Sequence, residues 1–558
     1  MQIPRQHRLG PLHRDVEDAL ARLEQDAVLR RVRDRDHTVW GDDSSEISNR
    51  LGWLDSPDVM PGRTAEIRDV VDGARRDRLT QALLLGMGGS SLAPQLFALT
   101  FGVAEGYLAL DVLDSTDPAS VLERARRLDP DRTLYIPATK SGGTVETLSF
   151  LKYFYTQAAE ALGRVEAGRR FVAVTDPGSG LAGMAAELGF RHTFLNDPDI
   201  GGRYSALSYF GLAAAGAVGL DMGRLLRRAQ DAIADPQTGG LLGATIGAGA
   251  LAGRDKLTLV TSPGIAAFGA WVEQLVAEST GKEGKGILPV DGEPLLAPAA
   301  YAQDRLFVHL RLAGDDRNDA PLRALAEAGH PVLQLDLDDL HDLGAQFVTW
   351  ELATVVAGHL LGINPFDQPN VEAAKKVARQ MMQAYQEQGR LPELEPALRD
   401  GALSVYGDVP AASLRTALAA FLDRGQQGRS YIALQAYLAP EPATDAALAG
   451  LRRTLLERTR LATTVGYGPR FLHSTGQLHK GDAGHGLFIQ LVWDPPEDAP
   501  IPDEPGNPRS TVSFGVLEQA QSLGDRQALL DAGRPVLRVH LGHDVAAGIE
   551  RLRQALEG

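Results

Sequence analysis

The chain alternates between short apolar runs and glycine-rich turns that lead into helical patterns. Ala82–Leu85, Tyr107–Val112, Thr133–Pro137 and Phe171–Thr175 read as strands. Helical stretches such as Pro94–Phe101 and Val145–Tyr153 lie between them. The pattern recurs with strands at Leu257–Thr261, Arg305–Leu310 and Pro331–Leu335, and a helix over Ala266–Glu278. Strand–turn–helix repetition predicts α/β architecture with mostly parallel sheets. Before it, Val16, Ala19, Leu20 and Leu23 share one face of a helix predicted over Asp15–Val32. After it, Ala411–Arg460 reads as mainly helical, with Leu414, Ala417, Leu418 and Phe421 on one stripe. The prolines of Asp494–Pro508 predict a long loop. Val512–Phe514 and Pro535–Val539 read as strands, and Asp544–Leu556 as a closing helix. The resulting division is an N-terminal helical segment (1–65), a first α/β domain (66–239), a second (240–395) and a C-terminal helical and mixed α/β region (396–558).

Composition narrows the function. The chain has 558 residues and a formal net charge of −16, which disfavours a broad nucleic-acid surface. It has no cysteine, so disulfides and thiolate catalysis are excluded. No apolar run is long enough to span a membrane, and the N-terminus lacks a signal core. A soluble cytoplasmic protein is expected.

Two turns carry the first candidate chemistry. Leu83–Pro94 reads LLLGMGGSSLAP, and Ile136–Thr147 reads IPATKSGGTVET. Each is a strand breaking into glycines before a helix, where unpaired N–H groups favour an anion. Thr139, Lys140, Ser141 and Thr144 surround the second glycine pair with three hydroxyls and an ammonium. The GxxxxGK[ST] pattern is absent, so a nucleoside triphosphate is not the first choice. An ordinary turn of small residues is the competing reading of either stretch alone.

Further candidates are single residues. Arg203 follows two glycines in GGRYSALS, where a guanidinium suits an oxyanion and also suits a plain salt bridge. Glu278 ends a helical run, where the helix dipole would favour its neutral form, and Gln274 lies one turn earlier. Gln368 and Lys375 flank a helix start near Asn370 in INPFDQPNVEAAKK. FLHSTGQLHKGDAGHG holds His473, His479 and His485 at a spacing that fits no compact zinc motif, and the residues alone do not choose among them.

Together, GMGGSSLAP, ATKSGGTVET, GGRYS, ESTGK, NPFDQPNVEAAKK and HSTGQLHKG resemble the glucose-6-phosphate isomerase family, from about residue 60 to the end of the chain. The wording is similar to the isomerase part of bifunctional transaldolase–phosphoglucose isomerase proteins. The resemblance implies two sugar isomerase (SIS) domains, each an α/β sandwich, with the C-terminal region joining the active site. It implies interconversion of glucose 6-phosphate and fructose 6-phosphate without metal or organic cofactor. Phosphate would be held by Gly89, Ser90, Thr139, Ser141 and Thr144, with Lys140 close by and Gln368 beside it. Glu278 would be the proton-transfer base, Arg203 the stabiliser of a cis-enediol, and Gln274 a nearby binding residue. Lys375 and His473 would assist ring opening, with His479 the alternative histidine. Family members are commonly dimers that lend the histidine across the interface. A homodimer and an association with a separate transaldolase are therefore partner expectations; nucleic acid and membrane are not. In the common family order the histidine precedes the lysine segment, whereas here HSTGQLHKG follows it by about 100 residues. Isomerisation that includes mannose 6-phosphate and a non-catalytic sugar-phosphate sensor are the competing functions.

Overall fold

The computed structural model describes residues 3–4, 6–410 and 412–557, with the side chains of 371–376 and 384 outside the described residues. Three sheets carry the architecture. The first has β1 (Gln81–Gly86), β2 (Ala109–Leu113), β3 (Thr133–Ala138), β4 (Val172–Thr175) and β5 (His192–Leu195) in the order β2-β1-β3-β4-β5, all parallel. The second has β6 (Lys256–Thr261), β7 (Leu288–Val290), β8 (Arg305–Leu312) and β9 (Val332–Leu337) in the parallel order β7-β6-β8-β9. Leu83, Leu84 and Leu85 are sealed on both faces, as a central parallel strand requires. Two mostly parallel α/β units thus stand where the repeated pattern predicts them.

The C-terminal region builds a third, mixed sheet. Its strands are β10 (Leu398–Asp400), β11 (Leu403–Tyr406), β12 (Tyr431–Tyr437), β13 (Ala462–Tyr467), β14 (Gly486–Val492) and, later in the chain, β17 (Val536–His540). The order is β10-β11-β17-β14-β12-β13. The last four positions are parallel, and β11 runs antiparallel to β17. The helices read over 411–460 are present, but an unread strand lies between them. Helices Leu414–Leu422 and Pro442–Thr459 flank β12, whose seven residues are all buried. The proline-rich stretch is likewise not a plain loop. β15 (Pro500–Glu504) and β16 (Asn507–Ser513) form an isolated two-stranded ribbon. A two-stranded ribbon tolerates proline because each strand has a free edge. The helix predicted over Asp15–Val32 is broken at Ala27, which takes a left-handed φ of 50°.

Packing fixes how these units meet. One continuous apolar core runs from Leu12 and Val16 through Leu84, Leu242 and Val308, joining the N-terminal helices to the first two sheets. A separate core holds Ile432, Leu434, Ile489 and Leu537 in the third. Two seams attach the third unit. Phe514 and Leu517 of the helix Phe514–Asp531 pack with Phe150, Phe154 and Phe171 against the first sheet. Leu478 and Phe488 pack against Ala277 of the helix Phe268–Thr280. Full burial of such side chains stabilises by about 1.5–3 kcal/mol each. These seams set the C-terminal region over the glycine turns of the first. Among the described residues no helix is long and apolar enough to cross a membrane.

Candidate active site

β1 ends at Gly86, and Gly88–Ser90 forms a tight 3-10 turn before the helix Leu92–Phe101. Gly88 takes a left-handed φ of +54°, and a Cβ there would stand 2.8 Å from both Gln274 Nε2 and the His473 carbonyl. Gly89 is pressed onto the second glycine turn: its Cβ would lie 1.9 Å from the carbonyl oxygen of Gly202. Only residues without side chains allow these turns to touch. The contact delivers Arg203 to the centre of the molecule.

Arg203 is 3% exposed. Its Nε donates to Ser279 Oγ at 2.7 Å, and Nη2 donates to the carbonyls of Pro365 at 2.7 Å and Asp367 at 3.2 Å. Nη1 stands 3.3 Å from Glu278 Oε1. The remaining oxygen, Oε2, accepts from Gln274 Nε2 at 3.1 Å. Gln274 and Glu278 meet because they are one helical turn apart. The same Nε2 donates to the His473 carbonyl at 2.8 Å, while Gln274 Oε1 has no hydrogen-bond partner among the described residues.

His473 lies in the short turn Arg470–His473, on the connection from β13 to β14. Its Nε2 is 3.0 Å from Glu146 Oε1. That oxygen also accepts from Gln521 Nε2 at 2.7 Å, and Gln521 Oε1 accepts from Thr116 Oγ1 at 2.9 Å. With Glu146 ionised, Nε2 carries the proton and Nδ1 is left as the acceptor. His479 is placed differently. It is 2% exposed among Tyr431, Phe471 and Phe488, and burial holds its imidazole well below the ordinary range. Its Nε2 has no partner among the described residues.

The second glycine turn leaves β3 and enters the helix Val145–Leu162. Thr139 and Thr144 join hydroxyls at 2.8 Å, and Ser141 Oγ accepts from the Gly143 N–H at 3.3 Å. Lys140 is directed elsewhere: its ammonium donates to Asp176 and to the Pro198 carbonyl. A cavity of about 550 Å³ opens beside this turn, walled by Ser141, Thr144, Glu146, His473, Gln521 and the helix Val371–Gln388. Ser90 is half-buried at the first turn, and Gln368 is exposed just before Val371–Gln388. Lys375 belongs to that helix, but its side chain lies outside the described residues.

Sequence reasoning overlooked several members. Glu146 and Gln521 hold His473, yet neither carries a local signal; their pairing spans 375 positions. Tyr204, inside GGRYS, donates or accepts at Ser279 Oγ at 3.1 Å and braces Arg203. Lys282, inside ESTGK, donates to Asn364 O at 2.8 Å and to Asp367 O and Oδ1 at 2.6 Å each. Burial first, and the Arg203 charge next, push its ammonium down to about 8. Lys282 thereby anchors the 364–367 loop that also receives Arg203. Among the described residues no cluster of three or more His, Asp or Glu could hold a metal ion.

The arrangement is a buried carboxylate–guanidinium pair linked through Gln274 to His473, which walls the glycine-turn cavity, and it suits proton transfer on an oxygen-rich anion. The family model described as phosphoglucose isomerase matches residues 60–234. The chain is 31% identical over 362 residues to a glucose-6-phosphate isomerase of Rubrobacter xylanophilus, covering 55% of this chain and 84% of that protein. It is 31% identical over 396 residues to one of Thermosynechococcus vestitus, covering 58% and 73%. A crystal structure of a glucose-6-phosphate isomerase from Chlamydia trachomatis shares the fold at a TM-score of 0.58 and 20% identity, over 67% of this chain and 86% of that one. A hypothetical protein from Thermus thermophilus superimposes at a TM-score of 0.57 with 26% identity, over 67% and 99%. By fold and by these likenesses, the chain belongs to the phosphoglucose isomerase family of phosphosugar isomerases.

Proposed function

We propose that this protein interconverts D-glucose 6-phosphate and D-fructose 6-phosphate through an open-chain cis-enediol. The observation that carries the reading is the chain of contacts from Arg203 through Glu278 and Gln274 to His473, which walls the cavity at the 139–144 turn. The phosphate would lie at Ser141, Thr144 and the N-terminus of Val145–Leu162, where helix N–H groups favour an anion. Thr139 would position Thr144 through their hydroxyl contact. Gly89 and Ser90 would bring backbone close to the sugar. Phosphate binding far from C1 and C2 supplies orientation to the reacting carbons.

His473, with its proton on Nε2 toward Glu146, would accept the ring hydroxyl proton at Nδ1, and Lys375 would assist ring opening. Glu278 would then take the proton alpha to the carbonyl and return it to the neighbouring carbon. Such positioned acid–base transfer contributes about 10²–10⁴-fold. Arg203 would offset charge on the enediol oxygens, and its four protein partners mean little reorganisation as that charge develops. Gln274 Oε1, lacking a protein donor, would receive a substrate hydroxyl. A sugar-phosphate sensor would have no use for the buried Arg203–Glu278 pair. Neither Lys140, bound to Asp176, nor exposed Gln368 is assigned a chemical step.

The test is turnover of fructose 6-phosphate with chelator present, coupled to a dehydrogenase that reads glucose 6-phosphate. The expected result is turnover in the wild type and its loss in Glu278→Gln with sugar-phosphate affinity kept. Full activity in Glu278→Gln would overturn the assignment. Mannose 6-phosphate, offered in the same assay, separates the epimer-tolerant reading.

A further inference from the structure

The third sheet has its own topological switch. β12 connects through Pro442–Thr459 to β13 on one side, and the chain then crosses to β14 on the other. The parallel order β13-β12-β14-β17 is doubly wound, and such sheets bind ligands outside the carboxyl ends of the strands where the winding reverses. A cavity of about 310 Å³ lies there, at the ends of β12 and β14, walled by Tyr437, Trp493, Glu518, Ser522 and Arg538. It is separate from the cavity beside His473. The helix Phe514–Asp531 stands between them, with Leu517 and Gln521 in the wall of one and Glu518 and Ser522 in the wall of the other.

The buried groups of this second cavity are incompletely satisfied. Arg538 is 6% exposed; it donates to Gln490 Oε1 and, at 3.1 Å, to Ser522 Oγ. No carboxylate ion-pairs with it among the described residues. Tyr437 Oη and Glu518 Oε1 have no hydrogen-bond partner among the described residues, although these side chains are 1% and 7% exposed. Unpartnered buried polar groups and an unpaired buried cation are costly, so a site that collects all three is built for a ligand. The acids at the mouth are already engaged. Asp494 faces His540 at 3.0 Å, and Asp498 accepts from the N–H groups of Ala499 and Gly515 at 2.7 and 2.8 Å. Burial pushes the Glu518 carboxyl well up, while Arg538, lowered to about 10 by burial, stays charged. Arg538 thus sets at the floor a cation whose hydrogen-bond acceptors are neutral.

We propose that the C-terminal unit holds a second small-molecule site, at the carboxyl ends of β12 and β14, which takes a small oxyanion gripped by Arg538 and Tyr437 beside the Trp493 ring. The anion is a carboxylate or a phosphate group; both match the planar guanidinium fork. Because Ser513 and Asp498 already accept from the first-turn N–H groups of Val516 and Gly515, the grip comes from side chains and not from the helix N-terminus.

Hydrogen–deuterium exchange on the full chain tests this, with inorganic phosphate in one arm and succinate in the other. The expected result is slowed exchange at 490–494, 515–522 and 536–540, by phosphate alone if the site selects phosphate, or by succinate if it takes carboxylates. Slowed exchange at 139–145 reports the other cavity and is scored apart, so the two sites succeed or fail independently. Arg538→Gln should weaken the effect by about tenfold or more, the worth of one charged hydrogen bond. Gln519→Trp, at an exposed helix position on the cavity mouth, blocks entry without touching the buried groups and should also abolish it. Absence of protection by both anions in the wild type, or unchanged protection in folded Gln519→Trp, overturns the proposal.

Discussion

Arg203 and Glu278 stand 3.3 Å apart with side chains 2% and 8% exposed, so each is the other's main charge compensation. Breaking such a pair strands a charge and costs about 3–5 kcal/mol. Arg203→Met should therefore lower the unfolding midpoint in urea and cut kcat by about 10²–10³. Arg203→Lys should not rescue kcat, because one ammonium cannot reach Ser279, Pro365, Asp367 and Glu278 together.

The two histidines of HSTGQLHKG separate by environment. His473→Gln should slow turnover of the cyclic sugar by about 10²-fold while leaving thermal stability close to wild type. His479→Phe fills the ring cluster of Tyr431, Phe471 and Phe488 and should leave kcat unchanged. Steady-state rates and melting curves of the two variants check this; loss of turnover confined to His479→Phe would reverse their roles.

Gly89 has no room for a methyl group, since its Cβ would lie 1.9 Å from Gly202 O. Gly89→Ala must push the two glycine turns apart. Overpacking of this kind costs about 1–3 kcal/mol, and the displacement falls on Arg203. Both the melting temperature and kcat/KM should drop.

Lys282 gives a pH signature. Its folded value is about 8 against an ordinary 10.5, with burial the leading cause. Between those values the unfolded chain binds more protons than the folded one, so stability rises with pH across that window. Below about pH 8 the burial cost stands in full. Urea titrations at pH 7.5, 9 and 10 should show the wild type gaining stability relative to Lys282→Met as pH climbs.

His473 contacts Glu146 and Gln274 of its own chain. His473 thus joins the cluster from within its own chain. Specific activity should stay constant on dilution from micromolar to nanomolar enzyme; a fall that added protein restores would mean that the working site is shared between copies.

The sequence announces some of this better than the rest. β1 is legible because an unbroken apolar run ending in glycine admits few alternatives, and β3 because a short apolar run leads within a few residues to a glycine pair. Tyr431–Tyr437 is not: YIALQAY sits between two helical patterns, and its two alanines, leucine and glutamine suit a helix equally well. Pairing with β13 and β14, both later in the chain, decides it. The site follows the same division. Glu278, Gln274 and Arg203 stand in recognisable short motifs, and the structure brings them within bonding distance of one another. Glu146 is an ordinary first-turn glutamate by sequence, and its burial depends on a helix nearly four hundred positions away. The late position of the histidine motif also finds its reason. The β13–β14 connection lies directly over the Gly88 turn, so chain order and spatial order differ.

Glu146 receives its donors from His473 and Gln521, 327 and 375 positions downstream. On a ribosome adding about 5–20 residues per second, that separation is an interval on the order of half a minute. During it the first two sheets can form before His473 and Gln521 reach the glutamate. The nascent chain therefore acquires its first two sheets and the surroundings of Glu146 at different times, and a truncated product ending before Gln521 would keep the glycine turns and His473 but lose the Gln521 hydrogen bond that braces Glu146.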